Sequence, residues 1–222
     1  MYVREVQGRT LEFGHRGWLL DESFIFYDKQ FDSLWVQATG ECLTGAFKGQ
    51  KLERIPVTHT TWGRWRSIHP ETVVLEKPAY RADQFRRDEY EKFYKVRGTT
   101  FGLAVFVGRD KKLYPLAELD QPFVQDSVGN QPVLVVYHAP SRTAVAFEPK
   151  VGEESLEFEV VEITSTDVLL RSVGDGKTWS GLTGRCLDPS DSESQLRQIL
   201  STQFVVSNWG HHFPGAPTYR RR

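Results

Sequence analysis

Apolar and polar positions alternate with a period of two through much of this chain, the pattern of strands buried on one face. Thr10-Leu11-Glu12-Phe13 and the run Phe24-Ile25-Phe26-Tyr27 predict two strands near the start. Lys51-Leu52-Glu53-Arg54-Ile55 predicts a third, with alternate residues facing inward. Residues 101–148 contain FGLAVFVG, PVLVVYH and TAVAFEP, which predict three short buried strands separated by turn residues such as Gly129-Asn130. Between these regions, Thr60-Thr61 supply an N-cap for a short helix through Trp62, Trp65 and Ile68, stopped at Pro70. Trp62 and Trp65 share a helix face and are expected to plug the open end of a sheet. Trp209 and Phe213 before Pro214 repeat the pattern.

That repetition is general. WVQATGECL at 35–43 returns as WSGLTGRCL at 179–187, so Trp35, Thr39, Gly40, Cys42 and Leu43 recur 144 positions later (179 − 35). The same offset carries Trp65 onto Trp209 and Pro70 onto Pro214. Leu11-Glu12-Phe13 matches Leu156-Glu157-Phe158 at 145 (156 − 11), a one-residue difference that a turn is expected to absorb. A constant spacing over so many positions indicates duplication. The second copy carries the strand-rich stretch 101–148, whereas the first begins at the point equivalent to about residue 145. The expected fold is therefore mainly β with short helices, a β-rich α+β arrangement of two tandem pseudo-repeats, the first incomplete. Residues 1–75 form the partial first β-repeat and 101–222 the complete second with a basic tail. Residues 76–100 form a charged, aromatic connector holding Tyr80, Phe85, Tyr90, Phe93 and Tyr94, expected to be partly helical and packed.

Composition agrees with a folded sheet protein: 39% of the 222 residues are hydrophobic, 26% charged and 13% aromatic. The formal net charge of −1 favours neither nucleic acid nor an anionic bilayer as partner. The tail Arg220-Arg221-Arg222 is the local exception, read as a solvated terminus or a peripheral anion contact. There is no apolar run of spanning length, and Met1 to Val6 lacks the apolar centre of a signal peptide. As written, the chain reads as cytoplasmic; a start lying further upstream would make it periplasmic or extracytoplasmic.

The chemistry-bearing residues are sparse. None of the six His lies in a local zinc motif. His59, His69 and His211 lie around the Trp-bearing helices and, with His138, form the candidate metal set if they converge. Structural His bonded to backbone is the plainer reading. Cys42 and Cys186 occupy equivalent repeat positions, so a disulfide or two-thiol contact near a pseudo-twofold axis is possible beside the plainer reading of small buried thiols. Asp28, Asp32 and Glu41 cluster in sequence, and Gly174-Asp175-Gly176 reads as a hairpin turn rather than a phosphate loop. Trp35, Trp62, Trp65, Trp179 and Trp209 are expected in the repeat cores. No cofactor and no catalytic residue is evident.

The stretch from Phe13 to Leu75 resembles the bacterial domain-of-unknown-function family numbered 3179. The likeness rests on Tyr27-Asp28, Ser33 to Gly40, Thr60 to Trp65 and His69 to Thr72, with Leu113 to Leu116 and Asn130 to Val133 similar in the second copy. The resemblance implies a fold pattern but no reaction. It also implies a Cys-Pro-Leu-Cys element at a strand end of the first copy, where His138-Ala139-Pro140-Ser141 stands in the second. Two functions are expected. One is a non-catalytic interaction or accessory subunit, its incomplete module completed by the sister repeat, another protein subunit or a homo-oligomeric partner. The alternative is a metal-binding or redox enzyme.

Overall fold

The computed structural model describes residues 1–75 and 101–221. The expected connector at 76–100 lies outside the described residues. Module one, residues 1–75, opens with a hairpin of β1 (Glu5–Val6) and β2 (Arg9–Thr10). An antiparallel sheet follows in the order β3 (Phe13–Leu20), β4 (Ser23–Asp28), β5 (Leu34–Val36) and β6 (Cys42–Thr44). Helix α1 (Trp62–Ile68) closes it, with Thr61 accepting from Arg64 N as N-cap. The expected strand at 51–55 is replaced by isolated bridges, Glu41 with Lys51 and Tyr2 with Arg54. Its backbone changes partner along its length, Leu52 N donating to Gly40 O while Glu53 O accepts from Val3 N, so no continuous ladder forms.

Module two repeats this core and adds two further sheets. The prelude holds five strands, not three: β7 (Phe101–Val107), β8 (Asp110–Pro115), β9 (Phe123–Val128), β10 (Gln131–His138) and β11 (Thr143–Phe147). β8 and β9 are mixed polar and apolar and carry no continuous apolar run. The repeated core continues with the hairpin β12 (Lys150–Val151) and β13 (Glu154–Ser155), then the sheet β14 (Phe158–Ile163), β15 (Val168–Ser172) and β16 (Thr178–Ser180). β17 (Ser201–Val205) pairs with β7, and α2 (Trp209–His212) ends the module.

These sheets stack in three layers. The middle one, β9-β10-β11, is buried on both faces, which accounts for the near-continuous apolar character of β10 and β11. Leu134, Val136 and Val145 face Val168, Leu170 and Trp179 on one side. Val133, Val135, Ala144 and Ala146 face Leu103, Val105 and Tyr114 of the β17-β7-β8 layer on the other.

The duplicated cores agree in detail. Trp35 lies edge-on to Phe13 at 6.1 Å and 84°, and Trp179 to Phe158 at 6.1 Å and 83°. Trp35 Nε1 donates to Asp28 Oδ2 at 3.0 Å, and Trp179 Nε1 to Ser172 Oγ at 3.3 Å. Gly40 and Gly184 both hold positive φ, +72° and +71°, and an added Cβ would strike Tyr2 at 2.5 Å and Phe147 at 2.6 Å. Glycine is required twice for one reason: the backbone is left-handed and a ring lies against it. The extra residue of module one sits in a β-bulge rather than a turn, since the β3 register shifts between His15 and Trp18 and the β14 register between Val160 and Glu162.

Candidate interaction surface

Among the described residues, module one has no counterpart of β7 to β11, and two of its large side chains, Phe24 and Trp65, are exposed at positions that are covered in module two. Ladder positions pair Phe24 with Val168: Phe24 O accepts from Gln37 N as Val168 O accepts from Gly181 N. Val168 is 0% exposed beneath Leu134 and Val136, whereas Phe24 is 48% exposed. The helices tell the same story. Trp209 is 3% exposed, packed on Ala104, Phe106 and Leu113 of the β7–β8 hairpin, and its equivalent Trp65 is 38% exposed. Trp62 is exposed as well, so neither α1 tryptophan is a core residue or plugs a sheet; Trp35, Trp179 and Trp209 are core. With Trp18, Leu19 and Leu20 on β3, module one thus presents large apolar side chains to solvent on several elements.

Each module covers part of the other in a reciprocal way. From module one, Val57 N donates to Ser201 O, Thr58 Oγ1 accepts from Gln198 Nε2 at 3.0 Å, and Thr60 Oγ1 lies 2.8 Å from Thr143 Oγ1. From module two, Asn208 Nδ2 donates to Glu22 Oε2 at 3.1 Å, and His212 Nε2 lies 3.1 Å from Asp21 O. Arg54 sits at this junction, its guanidinium 4.3 Å from the Phe106 ring, 5.3 Å from Tyr2 and 5.9 Å from Phe213, with a hydrogen bond to Ala38 O. Burial lowers the Arg54 pKa, with the Tyr2 hydroxyl acting in the opposite direction; the aromatic faces supply cation–π attraction in place of lost water.

A cavity of about 240 Å³ remains between the modules, lined by Tyr2, Ser23, Gln37 and Arg54 on one side and Gln203 and His212 on the other. Its lining has counterparts in module two. Ser23 corresponds to Asp167, the acceptors of the Ala38 and Leu182 amides respectively; Tyr2 corresponds to Phe147, partners of the Arg54 and Gln198 bridges. In module two, β11 and the turn Ala139–Ser141 precede Phe147 in the chain.

That turn carries a buried polar chain. His138 Nδ1 lies 2.7 Å from Ser141 Oγ and its Nε2 2.9 Å from Thr164 O. The carbonyl can only accept, so Nε2 donates to Thr164 O, and Nδ1 and the Ser141 hydroxyl share the second hydrogen bond. Ser141 Oγ and Thr143 Oγ1 are 2.7 Å apart, and Thr60 of module one completes the chain. Both ring nitrogens of His138 are occupied by protein. Beside this chain, Arg64 on α1 is 5% exposed; its Nη2 lies 3.8 Å from Asp167 Oδ2, and Nε and Nη1 have no hydrogen-bond partner among the described residues. Nothing in the sequence pattern marked Arg64, since its burial depends on α1 docking against the other module.

The remaining sequence candidates are dispersed. No group of three or more His, Cys, Asp or Glu is close enough to hold a metal ion among the described residues. The set His59, His69, His138 and His211 is therefore not brought together. His69 stacks on Trp65 at 4.1 Å, His59 lines a small cleft with Leu103 and Arg142, and His211 is exposed on α2. Cys42 and Cys186 are free thiols, each buried in the core of its own module, so they form no pair. Burial raises the Cys42 pKa, which keeps it a thiol. Asp28 is consumed by Trp35 and the Phe31 amide, Asp32 pairs with Arg16, and Glu41 with Lys51. The basic tail is pinned, with Arg220 on Glu118 and Arg221 on Asp120, both at 3.1 Å; Arg222 lies outside the described residues. No helix among the described residues is long and apolar enough to cross a membrane.

Comparison with curated proteins and with solved structures returns no match. A family model does match, described as "Protein of unknown function (DUF3179)", over residues 1–117 and again over 102–218, and the chain belongs to that family as two tandem matches.

Proposed function

We propose that the chain is a non-catalytic interaction or accessory subunit whose first module is completed by another protein. The observation that carries this reading is the exposure of Phe24 and Trp65, 48% and 38%, at positions whose module-two equivalents are 0% and 3% exposed. Transferring such rings from water into an interface is favourable by about 1.5–3 kcal/mol per fully buried side chain, enough to drive association when several act together. The sister repeat supplies only part of the cover, through the Asn208 and His212 contacts. A second copy of the chain is the simplest partner.

Analytical ultracentrifugation of the purified chain over a wide concentration range tests the reading. Self-association that weakens when Phe24 and Trp65 are both changed to Lys is the expected result. A monodisperse monomer that binds no apolar-surface dye and captures no protein through these two positions would overturn it.

A further inference from the structure

The sheet β17-β7-β8 ends at β8, and the outer edge of that strand is already occupied. Residues 216–221 run parallel along it. Leu113 N donates to Pro217 O at 3.1 Å and Tyr219 N donates to Leu113 O at 2.7 Å, with Thr218 bridging Leu113 between them. Tyr219 stacks on the buried Tyr114 at 5.4 Å and 27°, and Lys112 Nζ lies 5.9 Å from its ring centre. Beyond the ring, Glu118 accepts from Arg220 Nη1 at 3.1 Å and from Arg221 N at 3.2 Å, and Asp120 accepts from Arg221 Nη1 at 3.1 Å. The edge thus offers a backbone pair, an aromatic shelf and two carboxylates in succession. The segment that fills it presents a backbone pair, a ring and two guanidinium groups in the same order.

We infer that the β8 edge is a strand-addition seat for an extended segment of a partner protein carrying an aromatic residue followed by two basic ones, and that the chain's own residues 216–221 hold it closed. The inference is independent of the Phe24 and Trp65 surface, which belongs to module one. Two properties allow the exchange. The grip of this strap is shallow: among the described residues it consists of two backbone hydrogen bonds to Leu113, one ring stack, and contacts of exposed arginines that water and salt screen. Its root is a turn rather than a packed strand, Ala216 N donating to Phe213 O at 3.1 Å across Pro214 and Gly215, with Gly215 at a φ of +74°. Trp209 Nε1 holds Ala216 O at 3.1 Å, so the segment swings out from that point while α2 stays packed. Charge sets the choice of partner, because a strand with acidic residues at the two positions would meet Glu118 and Asp120.

The test uses a fluorescein-labelled peptide with the sequence of residues 214–221, titrated by anisotropy with the full-length chain. In a released variant, Arg220→Glu with Arg221→Glu, the strap is repelled by Glu118 and Asp120 and the seat stands open. That variant is expected to bind the peptide saturably, at least about tenfold more tightly than the unchanged chain, whose own strap competes at an effective concentration on the order of millimolar. A peptide carrying Glu at both arginine positions should not bind it. Adding Glu118→Lys and Asp120→Lys to the released variant should abolish binding of the original peptide, because strap and seat again carry opposite charge and the seat repels the peptide. No saturable binding by a released variant whose circular dichroism is unchanged, or equal affinity for the two peptides, overturns the inference. Hydrogen exchange in the unchanged chain gives a readout that needs no variant: the Tyr219 amide should exchange far sooner than the amides of β7, the central strand of the same sheet. Equal protection would mean that the strap never leaves its seat in the folded chain, and overturns the inference as well.

Discussion

Trp65 and Trp209 begin from the same local instruction. Each sits on a short helix, each donates its indole N–H seven residues on, to Thr72 Oγ1 at 2.9 Å and to Ala216 O at 3.1 Å, and each precedes a proline. They end differently, one half in water and one at 3% exposure. The helix is therefore made locally, by its cap and hydrogen bonds, while burial of its aromatic face depends on a separate layer that, among the described residues, module two alone possesses. The opposite ends of the two modules differ in a second way. Phe31 and Phe47 meet edge-on at 5.2 Å in module one; at the corresponding place module two has Lys177 between Asp175 and Asp191, at 3.0 and 2.8 Å. One end is closed by rings and the other by ion pairs.

The comparison is broken most directly at the helices. Trp209→Ala should destabilise the isolated chain by about 3–5 kcal/mol in denaturant titration, the usual range for deleting a packed ring, and Trp65→Ala by under about 1 kcal/mol. Equal losses would mean that α1 is covered in the chain alone. At the repeated indole bond, Asp28→Ala leaves Trp35 Nε1 and the Phe31 amide without acceptors and should cost about 2 kcal/mol. Asp28→Ser reproduces the serine of module two and should recover part of that loss; thermal melts of the two variants decide it. Arg64→Met removes a buried guanidinium with two nitrogens that are unpartnered among the described residues. It should be neutral or stabilising by about 1 kcal/mol, since an apolar side chain of similar length avoids desolvating the charge. A clear loss of stability would show that those nitrogens hold something essential.

The smallest effect concerns acid. Hydrogen bonds from Ser172 and then Lys177 hold the exposed Asp175 carboxyl down at about 2. Asp191 is lowered by Lys177 and Ser194, and Lys177 is itself raised, by Asp191 first and Asp175 second. A depressed carboxyl contributes stability above its unfolded pKa, and that contribution fades as pH falls from about 4 towards 2. In Lys177→Met the Asp175 carboxyl should titrate nearer its ordinary value, read by carbon-detected NMR, and the acid unfolding midpoint should move slightly upward. Module one lacks these charges and its closing rings do not titrate.

Much of the architecture was legible. The offset of 144 located both cores, and Thr61 and Pro70 bounded α1 within a residue. Apolar runs revealed β7, β10 and β11 because those strands are enclosed. β8 and β9 were missed because lysines, Asp126 and other polar residues interrupt the apolar pattern, Asp126 pairing with Lys112 at 2.7 Å. The strand expected at 51–55 failed because alternation reports facing, not partners. His138 was noticed for its type, but its partners Thr164 O and Ser141 Oγ are set by folding, and Arg64 carried no signal at all.

What the chain determined by itself was local and repetitive: helix caps, left-handed glycines at 40 and 184, indole bonds seven residues apart, and the duplication that places them twice. Whether a given aromatic became core or surface was decided only by tertiary structure, because burial requires a second layer and no residue encodes the presence of its neighbour. Phe24 and Val168 hold the same place in the same ladder, and only the strands laid over one of them made it interior.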